Sequence, residues 1–163
     1  MTNGAGDELE ALILKAWQGE VYGVLVYDGL ARARDDSIER TKLGELVELE
    51  VQMRDKLVGL LSQWAVDLDH GDILDVAQLD LERTKNQPWS QLLRWISADA
   101  ATALDDYLQL DELTNACSDD VRSVADDVIA HERAIISFCV KELAGEIDSL
   151  REVRALVQPA SGA

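Results

Sequence analysis

Residues 9–31, LEALILKAWQGEVYGVLVYDGLA, decide the fold. Leu9, Leu12, Ile13, Ala16, Trp17, Val24, Tyr27 and Ala31 return at steps of three and four, which places them on one stripe of a helix and on neither face of a strand. The spacing predicts a first helix over residues 7–34, with Asp7 and Glu8 at the positive end of its dipole.

The same periodicity continues outward. Asp35-Asp36-Ser37 interrupts it, and Ser37 is the predicted N-cap of a second helix over 38–68, whose stripe is Leu43, Leu46, Leu57, Leu60, Leu61 and Trp64. An acidic turn over 67–75 and a short connecting helix over 76–83 follow. Pro88 then opens a third long helix over 88–114, carrying Trp89, Leu92, Leu93, Ile96, Ala100, Ala103, Leu104 and Tyr107. Ser118 is the predicted cap of a fourth over 119–150, with Val121, Val124, Ala125, Val128, Ile135, Phe138 and Cys139; Pro159 and a tail of small residues are expected to end the structure. No run alternates as a strand would. Residues 1–163 therefore read as one all-α domain, an up-down four-helix bundle with its longer crossover between the second and third helices.

Composition narrows the functional classes. With 163 residues, 47% of them hydrophobic, and only two prolines, the chain can bury a core without disulfide or structural metal. Its 32 acidic against 15 basic residues give a net charge of −17, which argues against nucleic acid and against anionic membrane surfaces as partners. The N-terminal residues are polar and acidic, and no run reaches membrane-span length, so a cytoplasmic protein is expected. Cys117 and Cys139 stand alone, as reduced packing residues do. Most of the tryptophans, Trp17, Trp64, Trp89 and Trp95, are expected in the core. A second apolar set on the first helix, Leu14, Val21, Leu25 and Val26, points to a homodimer, and the acidic surface would suit a basic protein partner.

Three ionisable residues break the stripes. Glu20 stands on the first, Glu50 on the second with Met53 one turn later, and His131 on the fourth, with Asp127 and Glu132 close to it in the helical net. The third helix brings Tyr107. A buried carboxylate costs several kcal/mol unless it is paired, protonated or metal-bound. Glu20, Glu50 and His131 could meet that cost by ligating a divalent cation, with Asp127 or Glu132 as a further ligand or an acceptor for the imidazole. They could equally share protons, or form a polar network with Tyr107 and a core arginine such as Arg54.

Three segments resemble the ferritin-like superfamily: Gly19-Glu20-Val21-Tyr22-Gly23, Leu43-Gly44-Glu45-Leu46-Val47-Glu48-Leu49-Glu50-Val51-Gln52-Met53, and Ile129-Ala130-His131-Glu132-Arg133-Ala134. The resemblance covers roughly residues 8–150 and implies that fold. Its di-iron members take a Glu from each of two helices and a Glu-x-x-His pair from each of the others. By that likeness Glu20 corresponds to the first-helix glutamate, Glu50 to the carboxylate of the second-helix pair and His131 to the histidine of the fourth-helix pair. Met53 and Val128 stand where the remaining histidine and glutamate belong, and the third helix has no glutamate before Glu112. The likeness thus implies a degenerate site, suited at most to a single iron or manganese ion.

Other signals are weak. Asp67-x-Asp69-x-Gly71-Asp72 falls short of a calcium loop, since Gln78 occupies the twelfth position, and His70 reads as a bystander in this turn. No phosphate loop or nucleophile signature occurs. The leading expectation is a binding or association protein with a degenerate metal site. One alternative is a mononuclear iron or manganese enzyme acting on a small molecule, with Tyr107 or Glu132 as proton donor or acceptor; another is an acidic structural adaptor.

Overall fold

The periodic segments all fold as helix in the computed structural model, which describes residues 3–157; Pro159 and the tail lie outside the described residues. The elements are α1 (Asn3–Ala33), α2 (Ser37–Gln63), α3 (Ile73–Thr84), α4 (Trp89–Tyr107), α5 (Leu110–Leu113), α6 (Asp119–Leu143) and α7 (Arg151–Leu156), with no strand among the described residues. Helix α1 packs chiefly on α2 and α3, and α4 on α6; α2 joins the two sets through α6, and α7 lies against both α2 and α6. No helix among the described residues is long and apolar enough to cross a membrane.

Helix ends depart from expectation for local reasons. Asp36, not Ser37, caps α2, its carboxylate accepting from the Ile38 and Glu39 backbone N–H groups at 2.8 and 3.0 Å. That helix stops at Gln63, five residues short of Leu68, because Ala65 turns left-handed at φ 56°. The Ala65 and Val66 N–H groups then reach back to the Ser62 and Leu61 carbonyls at 3.2 and 3.1 Å, which closes the helix end. Gly145 at φ 73° ends α6 in the same manner, with Gly145 and Glu146 donating to Glu142 and Lys141, so residues up to 150 are not one helix and α7 is a separate element. The third long helix breaks after Tyr107 and resumes as α5 with no glycine or proline to mark the interruption. The connecting helix α3 begins at Ile73, three residues before the expected start. Pro88 is the residue before α4, and Ser118 holds the N-cap position of α6 without a side-chain bond to it.

The apolar interior divides into two cores. One gathers Val26, Leu30, Leu43, Leu46, Leu92, Ile96 and Phe138; the other gathers Ile13, Trp17, Leu57, Leu61, Leu110 and Val128. Of the second apolar set on the first helix, Val26 is fully buried, whereas Leu25 beside it is 43% exposed and Leu14 and Val21 are half-buried. Of the tryptophans, Trp17 alone is buried; Trp64, Trp89 and Trp95 pack at core margins, where an indole keeps one edge toward water. The acidic turn is a solvated one: Gly71 at φ 55° donates to the Asp69 carboxylate at 2.9 Å, and Gln18 ties the turn to α1 through the Asp69 carbonyl at 2.7 Å.

Candidate metal centre

The stripe-breaking residues lie at the seam between the two cores. On α1 one core ends at Trp17 and the other begins at Tyr22; on α2 the change falls between Leu49 and Met53, and on α6 between Ile129 and Ala134. Glu20, Glu50 and His131 occupy those three gaps and are 1%, 3% and 2% exposed. Helix α4 crosses the seam with Ala103 and Leu104, and its Asp99 carboxylate interacts electrostatically with Glu50 and Glu132.

Small residues make the room. Gly19 and Gly23 lie one helical turn apart on α1 and flank Glu20. A Cβ at Gly23 would overlap the Glu50 carboxylate, and one at Gly19 would stand 3.0 Å from the Tyr107 hydroxyl. The close approach of Glu50 to the α1 backbone therefore depends on glycine at 23. Sequence reasoning noticed both glycines without giving them this role, because the space they leave is defined by residues from other helices.

His131 Nε2 stands 3.3 Å from Glu20 Oε2 and 3.3 Å from Glu50 Oε1, the latter contact being a hydrogen bond. One ligand atom from each of the three residues lies within 4.8 Å of the others, so the group could hold a metal ion. The 3.3 Å contacts are close to the roughly 3 Å that separates neighbouring ligands around an octahedral ion bound at about 2.1 Å. Two atoms of the group, Glu20 Oε2 and His131 Nδ1, are buried without a hydrogen-bond partner.

Burial in the low-dielectric seam favours the protonated form of the Glu20 and Glu132 carboxyls. Burial, with the neighbouring Glu50 charge and its hydrogen bond, raises Glu20 well above the usual carboxylate range. Burial likewise pushes Glu132 up to about 8, partly offset by His131. For His131 burial opposes the imidazolium, but the Glu50 and Glu132 charges outweigh it and the group is raised. Tyr107 and Tyr27 are both raised by burial and by surrounding carboxylates, Glu50 and Glu132 among them. No lysine or arginine ion pair reaches Glu20, Glu50 or Glu132 among the described residues.

Glu20, Glu50 and His131 are thus brought together, with Tyr107 beside Gly19 at the same level and Glu132 buried within electrostatic reach. Asp127 is not: it faces outward and pairs with Lys56 at 2.6 Å. Arg54 also leaves the core and pairs with its neighbour Asp55 at 2.9 Å, since a guanidinium finds cheaper solvation at the surface than in the seam. Met53 is buried next to the group, and Tyr27 joins its electrostatic surroundings although the stripe alone marked it as packing. Compared with protein families, with curated proteins and with solved structures, the chain matches none.

Proposed function

We propose that this chain is a ferritin-like up-down four-helix bundle that binds one divalent iron or manganese ion between Glu20, Glu50 and His131. The observation that carries the reading is Glu20 Oε2, a fully buried carboxylate oxygen 3.3 Å from the imidazole and without a hydrogen bond. A cation satisfies that atom and offsets the surrounding carboxylates at once. Two carboxylates with one imidazole suit iron or manganese. Apolar Met53, Val128, Ala103 and Leu104 in the adjoining positions favour one ion over two. Such an ion, when bound, supplies Lewis acidity and one-electron redox capacity. The protein's own contribution is to exclude water from the seam and to keep a proton on Glu132, whose carboxyl is pushed up to about 8.

A second reading has its own support: the Glu20 carboxyl, raised above its ordinary range, hydrogen-bonds Glu50, as a proton-sharing structural network would. Elemental analysis of chain purified without chelator or added metal separates the two. Near-stoichiometric iron or manganese, lost in Glu50→Ala and His131→Ala, is the expected result. Metal-free protein that also takes up no added Fe²⁺, Mn²⁺ or Zn²⁺ would leave the network reading in its place.

A further inference from the structure

A cleft of about 320 Å³ opens between α2 and α6, is closed at one side by Leu156 of α7, and ends on His131. At its wall Lys56 Nζ and Asp127 Oδ2 meet at 2.6 Å, with their side chains 44% and 39% exposed. Deeper in, Met53 and Leu49 line it, and Met53 is 5% exposed. We propose that this cleft is the route by which the cation reaches Glu20, Glu50 and His131, with the Lys56–Asp127 pair as its gate and Met53 as its constriction. The inference rests on the metal-site reading above.

Size, charge and softness each fit that role. The site residues are at most 3% exposed, so an ion needs a path through the protein. A cation with six waters occupies roughly 200 Å³ at about 30 Å³ per water, less than the volume of the cleft, whereas the site residues themselves are buried. A net charge of −17 draws cations toward the surface, while the Lys56 ammonium repels them locally. Because an exposed ion pair contributes only about 0–1 kcal/mol, Lys56 swings away readily and frees Asp127 to meet an incoming ion, alongside Asp55, which lines the same cleft and pairs with Arg54. The Met53 thioether has little affinity for a hard cation and three rotatable bonds, so it yields without trapping the ion, as an imidazole at that position would. Asp127 and Met53, which do not belong to the ligand set, thereby acquire a function.

The test uses the full chain, stripped of metal, with Co²⁺ as the probe. Stopped-flow absorbance gives the uptake rate, and equilibrium dialysis gives the final stoichiometry. Lys56→Gln and Met53→Ala are expected to take up Co²⁺ about tenfold faster than wild type, and Asp127→Asn and Met53→Phe about tenfold slower, all four reaching the same stoichiometry. Opposite changes from a smaller and a larger residue at position 53 cannot come from misfolding, which would move both the same way. Normal stoichiometry with unchanged rates overturns the route alone. So does slowing confined to Asp80→Asn and Asp99→Asn, whose carboxylates interact with each other and, through Asp99, with Glu50 from the other side of the seam. A wild-type chain that takes up no Co²⁺ overturns site and route together.

Discussion

At Gly23 the α1 backbone leaves a gap that the Glu50 carboxylate fills, and a methyl group there would overlap it. Gly44 and Gly59, on α2, have nothing within contact distance of an added Cβ. Alanine in an open helix interior gains about 1 kcal/mol over glycine, whereas overpacking costs about 1–3 kcal/mol. Gly44→Ala should therefore raise the urea midpoint and Gly23→Ala lower it and reduce metal content; a Gly23→Ala protein as stable and as metal-loaded as Gly44→Ala would contradict the seating of Glu50. Sequence made Glu20, Glu50 and His131 visible because an ionisable residue on an apolar stripe has few inexpensive explanations. It misplaced Asp127 and Arg54 because adjacency in a helical net carries no information about partners, and Lys56 and Asp55 hold these two at the surface.

Along the helices, periodicity located the buried faces and gave little information about where each helix stops. Burial at Leu43, Leu46, Leu57 and Leu60 on α2, and at Val128, Ile135 and Phe138 on α6, follows the stripe, because a whole face must leave water together. A helix end is set by one residue's backbone. Gly145 carried a readable signal for the end of α6, but Ala65 carried none, since alanine ordinarily favours helix and here adopts φ 56°. The left-handed conformation costs an L-residue about 1–2 kcal/mol. Ala65→Gly is accordingly expected to stabilise the protein by about 1 kcal/mol and Gly145→Ala to destabilise it by about 1 kcal/mol, read from chemical denaturation midpoints. Equal shifts of the same sign would mean that the two closures are not equivalent. The break between α4 and α5 was not legible, because Tyr107 and Leu110 on either side of it are both buried at helical spacing.

For the molecule as a whole, the seam couples stability to pH, and stability falls as pH rises. Glu132 passes from an ordinary 4.5 to about 8 on folding, so between those values the folded state holds a proton that the unfolded state has lost. Its stabilising contribution is complete below the lower value and disappears as pH rises toward the upper one. Glu20, raised by burial and Glu50, acts in the same direction. His131, also raised, adds stability below its ordinary 6.5 that is lost as pH climbs through its folded value. Metal binding runs the opposite way, since ligands bind a cation only when deprotonated. Metal-free protein should therefore melt at a lower temperature at about pH 8 than at about pH 5, and saturating Mn²⁺ should recover most of the loss. The charge of −17 adds a slope of the same sign through self-repulsion, which salt screens and buried groups escape. At high salt the remaining slope should be smaller in Glu132→Gln, which has no proton to lose. A metal-free chain that gains stability up to pH 8, or a Glu132→Gln variant with the wild-type slope, would show that the seam carboxyls are already ionised in the folded protein.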